Sequence, residues 1–175
     1  MTVTVSILIG SESDLDLANK CSETLDSLSI SNSIQVLSAH RTPSLLETHI
    51  RECEAGGTKV FIAMAGLAAH LAGAVASKTV LPVIGVPGDG GPLSGMDALL
   101  STVQMPKGIP VATVAIGSAG AINSAYLAAQ MLGMESADMR AALLKVREDG
   151  IQAVSYTHLR AHETDSYLVC RLLLE

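Results

Sequence analysis

Along this chain, short runs rich in Val and Ile alternate with longer segments rich in Ala and Leu. Unbroken apolar runs of a few residues mark strands buried on both faces, and apolar positions recurring every three or four residues mark helices. Strands are therefore expected at Val3–Ile9, Ile34–Leu37, Val60–Ala65, Pro82–Val86 and Val111–Ile116. Helices are expected at Asp14–Leu28, Pro43–Glu54, Ala68–Ser77, Ser94–Gln104, Ala119–Leu132 and Ser136–Glu148. Repeated βα units joined by right-handed crossovers build a parallel sheet. The prediction is an α/β, three-layer doubly wound parallel sheet. The flavodoxin-like strand order 2-1-3-4-5 is preferred, though the pattern alone does not fix it.

Composition narrows the class. Apolar residues make up 49% of the 175 positions and charged ones 16%, with a mean hydropathy of +0.41. A membrane span needs roughly 18 consecutive apolar residues, and none is present: the longest stretch, Ala119 to Met134, is interrupted by Asn123, Ser124 and Gln130. A small domain this poor in charge is expected to hide further surface in an oligomer. The net charge of −6 argues against general nucleic-acid binding. Cys21, Cys53 and Cys170 lack metal or redox spacing and read as reduced thiols. The opening Met1-Thr2-Val3-Thr4-Val5 runs straight into a strand without a basic region or signal-peptide pattern. The expectation is a cytoplasmic protein.

Chemistry concentrates where strands hand over to helices. After the first strand comes Gly10-Ser11-Glu12-Ser13-Asp14. A glycine allows a tight turn, and serine hydroxyls and the free amides of a starting helix can hold a phosphate. Asp14 would accept hydrogen bonds from ribose hydroxyls. The alternative is an ordinary N-cap box with Ser13 or Asp14 as cap. After the second strand comes Ser38-Ala39-His40-Arg41-Thr42-Pro43, in which Thr42 and Pro43 signal a helix start. Arg41 can hold phosphate bidentately, Ser38 can donate to phosphate or ribose, and an imidazole such as His40 suits proton transfer near neutrality. A structural histidine and an interface arginine are the competing explanation.

After the third strand, Ala65-Gly66-Leu67-Ala68-Ala69-His70-Leu71-Ala72-Gly73 lets a flat ring approach small residues, with His70 as its one titratable group. The Gly/Pro-rich stretch Gly85 to Gly95 reads as a shaped loop, a wall or lid. Lys107 precedes the fifth strand and reads as a solvated turn lysine, and the small residues of Ser118 to Asn123 favour tight helix packing. In a 2-1-3 order the first three loops meet at one crevice, at the switch point where open α/β sheets bind ligands. The set fits phosphate, ribose and a small ring that gains or loses a proton. It contains no nucleophile–base–acid triad, metal cluster or dinucleotide GxGxxG, so the residues by themselves do not name the reaction.

From about Ser155 the composition changes abruptly: residues 155–175 hold two of the three tyrosines and two of the five histidines. Residues 1–154 are read as a single domain and 155–175 as an appended tail. His158, His162 and Glu163 have helical spacing but lack a third well-placed ligand, so no metal is expected there.

Five stretches carry a family resemblance: Gly10–Asp14, Ser38–Pro43, Ala68–Leu71, Leu81–Pro87 and Gln104–Ile116. In order and spacing they resemble the catalytic subunit of phosphoribosylaminoimidazole carboxylase, whose bacterial class is the N5-carboxyaminoimidazole ribonucleotide mutase of purine synthesis. The resemblance covers residues 3 to 150 or so. It implies a flavodoxin-like homo-octamer without metal or organic cofactor. The implied reaction moves a carboxylate from the exocyclic nitrogen to ring carbon C4 by way of trapped CO2. It casts His40 as acid/base and His70 as a second group that orients the carboxylate. Ser11, Ser13, Asp14, Ser38, Ala39, Arg41, Ala65, Gly66 and Leu71 become substrate contacts. Retention of His70 and the Gln-Met-Pro stretch resembles the mutase class more than the direct, CO2-dependent carboxylase. Leu67 and Ala72 depart from the family pattern, where many relatives carry glycine and proline, and so does the ending after about Val154.

Overall fold

The computed structural model describes residues 3–151. A five-stranded parallel sheet has the order β2-β1-β3-β4-β5, the expected one. Its strands are β1 (Val5–Ile9), β2 (Asn32–Val36), β3 (Val60–Ala65), β4 (Val83–Pro87) and β5 (Ala112–Thr113). The connecting helices are α1 (Leu15–Ser27), α2 (Pro43–Ala55), α3 (Leu71–Ala76), α4 (Met96–Val103) and α5 (Gly117–Gly133). A further helix, α6, occupies 137–151. The tail expected beyond 154, with His158, His162 and Glu163, lies outside the described residues.

Alternation along the central strands builds the three layers. Val5, Ile7 and Ile9 of β1 join Val60, Ile62 and Met64 of β3 against α1 and α5. Leu8, Phe61, Ala63 and Val83 face the other way, onto Leu46 and Ile50 of α2 and Leu71, Ala72 and Val75 of α3. Burying each large side chain of this kind stabilises the fold by about 1.5–3 kcal/mol. Gly85 of β4 lets Thr102 of α4 approach so closely that a Cβ would collide with its methyl group.

The sheet edges differ from expectation. Strand β2 starts earlier, at Asn32, because the Asn32 side chain is tied down: it accepts from Ser22 Oγ at 2.7 Å and donates to Asp26 Oδ1 at 2.8 Å. It is also covered incompletely, with Val36 47% exposed. Strand β5 is two residues long, not six, and pairs only Ala112 and Thr113 with Ile84 and Gly85. Helix α3 begins at Leu71, not Ala68. The chain from Leu67 to His70 forms tight turns instead, with Ala69 N–H bonded to Leu67 C=O at 2.9 Å and His70 N–H to Ala68 C=O at 2.7 Å. Helix α1 begins at Leu15, after a separate 3-10 turn at Glu12–Asp14. Gly95, at φ 81°, sets the start of α4.

Candidate active site

The loops after β1, β2 and β3 converge because β1 lies between its two neighbours and its chain leaves to one side while theirs leave to the other. They enclose a cavity of about 880 Å³. Ser11, Ser13, Asp14, Ser38, Ala39, His40, Arg41, Ala65, Gly66, His70 and Leu71 all line it, so the residues expected to serve catalysis or substrate binding lie around one place.

The Ser38–Pro43 turn is locked by its own side chains. Thr42 occupies the N-cap position of α2 with Pro43 following, but its hydroxyl does not cap the helix. Instead Thr42 Oγ1 accepts from Ser38 N–H at 3.0 Å and donates to Ser38 C=O at 3.1 Å. Ser38 Oγ accepts the Arg41 N–H at 3.2 Å, which leaves its own proton free for a ligand. The Arg41 guanidinium donates to Gly10 C=O at 2.8 Å and thereby ties the β2 loop to the β1 loop. Its remaining N–H groups are available to an anion.

On the β1 loop, Ser11 Oγ accepts from Ser13 N–H at 3.4 Å and caps the 3-10 turn. Asp14 precedes α1 without a capping bond, so the cap explanation for its carboxylate does not hold. Burial pushes the Asp14 carboxyl above its ordinary range, opposed by hydrogen bonds from Ser11 N–H and the Ser13 hydroxyl. Gly10 is not among the residues with positive φ, and an added Cβ would stand 3.9 Å from Ala65 Cβ. The turn does not require a glycine there, contrary to expectation; its absent side chain simply leaves the crevice open.

The two histidines meet. His40 Nε2 and His70 Nδ1 are 3.2 Å apart, with ring centroids 5.1 Å apart. Such a bond needs an N–H on one ring and a lone pair on the other, so the pair can pass a proton along. Leu67, one turn earlier, is held at φ 55°. A non-glycine residue there costs about 1–2 kcal/mol.

Sequence reasoning passed over Asp16, Leu17 and Lys20, which also line the cavity. Leu17 and Lys20 are three positions apart on one face of α1, and that spacing was the available signal. Lys20 Nζ donates to Ser118 Oγ at 3.0 Å and so joins α1 to the first turn of α5. The Gly/Pro-rich loop contributes Gly88 to Gly91 as a wall, as expected. Among the described residues, no three of His, Cys, Asp and Glu are grouped so as to hold a metal ion.

Residues 4–153 match the family model described as AIR carboxylase. The chain belongs to this family. Within the AIR carboxylase family it is 47% identical over 154 residues to a Pseudomonas aeruginosa protein, with 88% of this chain and 94% of that one covered. It is 47% identical over 150 residues to a Bacillus subtilis relative, covering 86% and 93%. Both relatives are named N5-carboxyaminoimidazole ribonucleotide mutase. Treponema denticola PurE superposes with a TM-score of 0.80 at 29% identity, covering 87% of this chain and 94% of the other. A PurE2 variant from the same organism gives 0.81 at 28% identity.

Proposed function

We propose that this protein is an N5-carboxyaminoimidazole ribonucleotide mutase, converting N5-carboxyaminoimidazole ribonucleotide into its C4-carboxylated isomer in purine biosynthesis. The observation that carries the reading is the His40–His70 pair, 3.2 Å apart, in a cavity that also presents hydroxyls, backbone amides and Arg41. Ser11, Ser13 and Arg41 hold the phosphate, with Ser38 donating to phosphate or ribose. Asp14 accepts from ribose hydroxyls. Lys20 adds a second cation that favours an anionic ligand in a chain of net charge −6. Ala39, Ala65, Gly66 and Leu71 form close, apolar walls for the ring.

The chemistry is an isomerisation whose protons balance internally. The N5–carboxyl bond breaks, its electron pair stays on N5, and N5 gains a proton as CO2 is freed. C4 then bonds to the CO2 and loses a proton. One imidazole can give the proton to N5 and then, left neutral, take up the proton released at C4. His40 is assigned that role because Arg41 beside it fixes the phosphate, and His70 orients the carboxylate. The chain needs no metal or organic cofactor for these steps. A cavity poor in water keeps the CO2 from hydrating or escaping. The protein works as a homo-octamer in the cytoplasm, an assembly that would cover the exposed side chains of Met96, Leu100 and Val103 on α4.

Incubation with the N5-carboxylated substrate in bicarbonate-free buffer tests the reading. Rapid formation of the C4-carboxylate is the expected result. Product only from aminoimidazole ribonucleotide and high CO2 would make the protein a direct carboxylase, and saturable binding without turnover would leave a nucleotide-binding module. His40→Asn is expected to abolish turnover while largely sparing nucleotide affinity; an active variant would remove His40 from the acid/base role.

A further inference from the structure

Leu67 holds a left-handed backbone, φ 55°, at the turn between β3 and His70. Strain at a bulky residue persists only where its surroundings enforce it, and it clusters where a site depends on it. Burial in the core does not compensate here, since Leu67 is 54% exposed. Its side chain lies instead against Gly91, where an added Cβ would fall 2.5 Å from Leu67 Cδ2. The same two loops touch again through their backbones. Gly88 N–H donates to Ala65 C=O at 2.8 Å, and a Cβ on Gly88 would stand 3.2 Å from Gly66 Cα. Leu67, Gly88 and Gly91 all line the cavity that holds His40 and His70.

We infer that Leu67 is a positioning residue for the carboxylate transfer. It pins the Gly88–Gly91 loop against the β3 turn and closes that wall of the cavity against escape of CO2. The role rests on the mutase reading above. While the CO2 stays, the proton gained at N5 matches the proton lost at C4. If it escapes, the N5-carboxylated substrate takes up one proton and ends as the free amine and CO2, with no C4 product. An uncharged, apolar side chain suits this wall, because it offers water no hydrogen bond and CO2 no competing charge.

Three variants separate contact from backbone. Leu67→Ala keeps the strained backbone and removes the contact with Gly91. Leu67→Gly removes both, and because it relieves strain it is expected to fold with a raised Tm. Leu67→Met keeps a long apolar side chain. Hydrogen exchange of the Gly88–Gly95 amides in the ligand-free protein reads the pin whatever the reaction. The ratio of C4-carboxylate formed to N5-carboxylated substrate consumed, corrected for spontaneous decarboxylation, reads the seal. In the Ala and Gly variants exchange is expected to speed up severalfold and the ratio to fall, with Met close to the parent protein in both. Unchanged exchange in both variants would overturn the pin. Faster exchange with an unchanged ratio would overturn the seal. A parent protein that does not convert the substrate would overturn the mutase reading and the seal with it, while exchange still decides the pin.

Discussion

At the scale of single residues, the site joins groups whose demands oppose one another. His40 and His70 sit 30 positions apart in the chain yet share a hydrogen bond, and Asp14 is a carboxylate partly withdrawn from water. Because burial raises the Asp14 pKa above its ordinary 3.8, the folded protein holds that proton more tightly than the unfolded chain does. Stability then falls as pH rises from 3.8 through the raised value, and the charged form is a net cost at neutrality. Asp14→Asn, which does not ionise, is expected to raise Tm near pH 7, with the gain shrinking as the solution approaches about pH 4. It should weaken substrate binding at the same time. A thermal melt series across pH checks the first part: a gain that does not depend on pH would remove the burial argument. The chemical identity of these residues was legible in the sequence. The backbone state of Leu67 was not, because φ depends on what the neighbouring loop forces on it.

At the scale of elements, closeness of approach decides the fit. Helix α5 packs on α1, and its Ala121, Ala125, Ala128 and Ala129 are all fully buried. Across that contact Cys21 Sγ meets Ser124 Oγ at 3.4 Å, and burial pushes the Cys21 thiol up to about 11. Gly120 in the first turn of α5 is the tightest point. A Cβ there would run into the Ala115 carbonyl, with Val86 Cγ1 at 3.3 Å behind it. Gly120→Ala is therefore expected to cost about 1–3 kcal/mol through overpacking, visible as a lower denaturation midpoint in urea. An unchanged midpoint would mean that the β5–α5 turn relaxes freely. The run of small residues at Ser118–Asn123 signalled tight packing in advance, but not its partner. Element boundaries were least legible at the start of α3 and at β5, where short-range turns and a short strand pairing override the apolar pattern.

At the scale of the whole molecule, apolar surface remains where the described chain has nothing to cover it. Met96, Leu100 and Val103 of α4, spaced four and three apart, are 53%, 52% and 48% exposed. That spacing places them on one helical face, which suits the proposed assembly. Leu100→Glu would put a charge in that face and is expected to lower the native mass in light scattering while leaving the monomer folded. A variant of unchanged mass would move the subunit contact away from α4. Among the described residues, no helix is long and apolar enough to cross a membrane.

The sequence by itself determined the repeated βα units, and with them the placing of hydroxyls, guanidinium and imidazoles just beyond strand ends. Those properties are local: periodicity and turn chemistry act over a few neighbours. Only the tertiary structure decided that β1 lies between β2 and β3, and this order is what brings three separate loops to one cavity. It also decided that His40 bonds His70, that Arg41 reaches Gly10, and that Leu67 rests on Gly91 in a strained backbone. Each of these joins residues distant in the chain, so each depends on how the layers pack and not on what stands beside it in sequence.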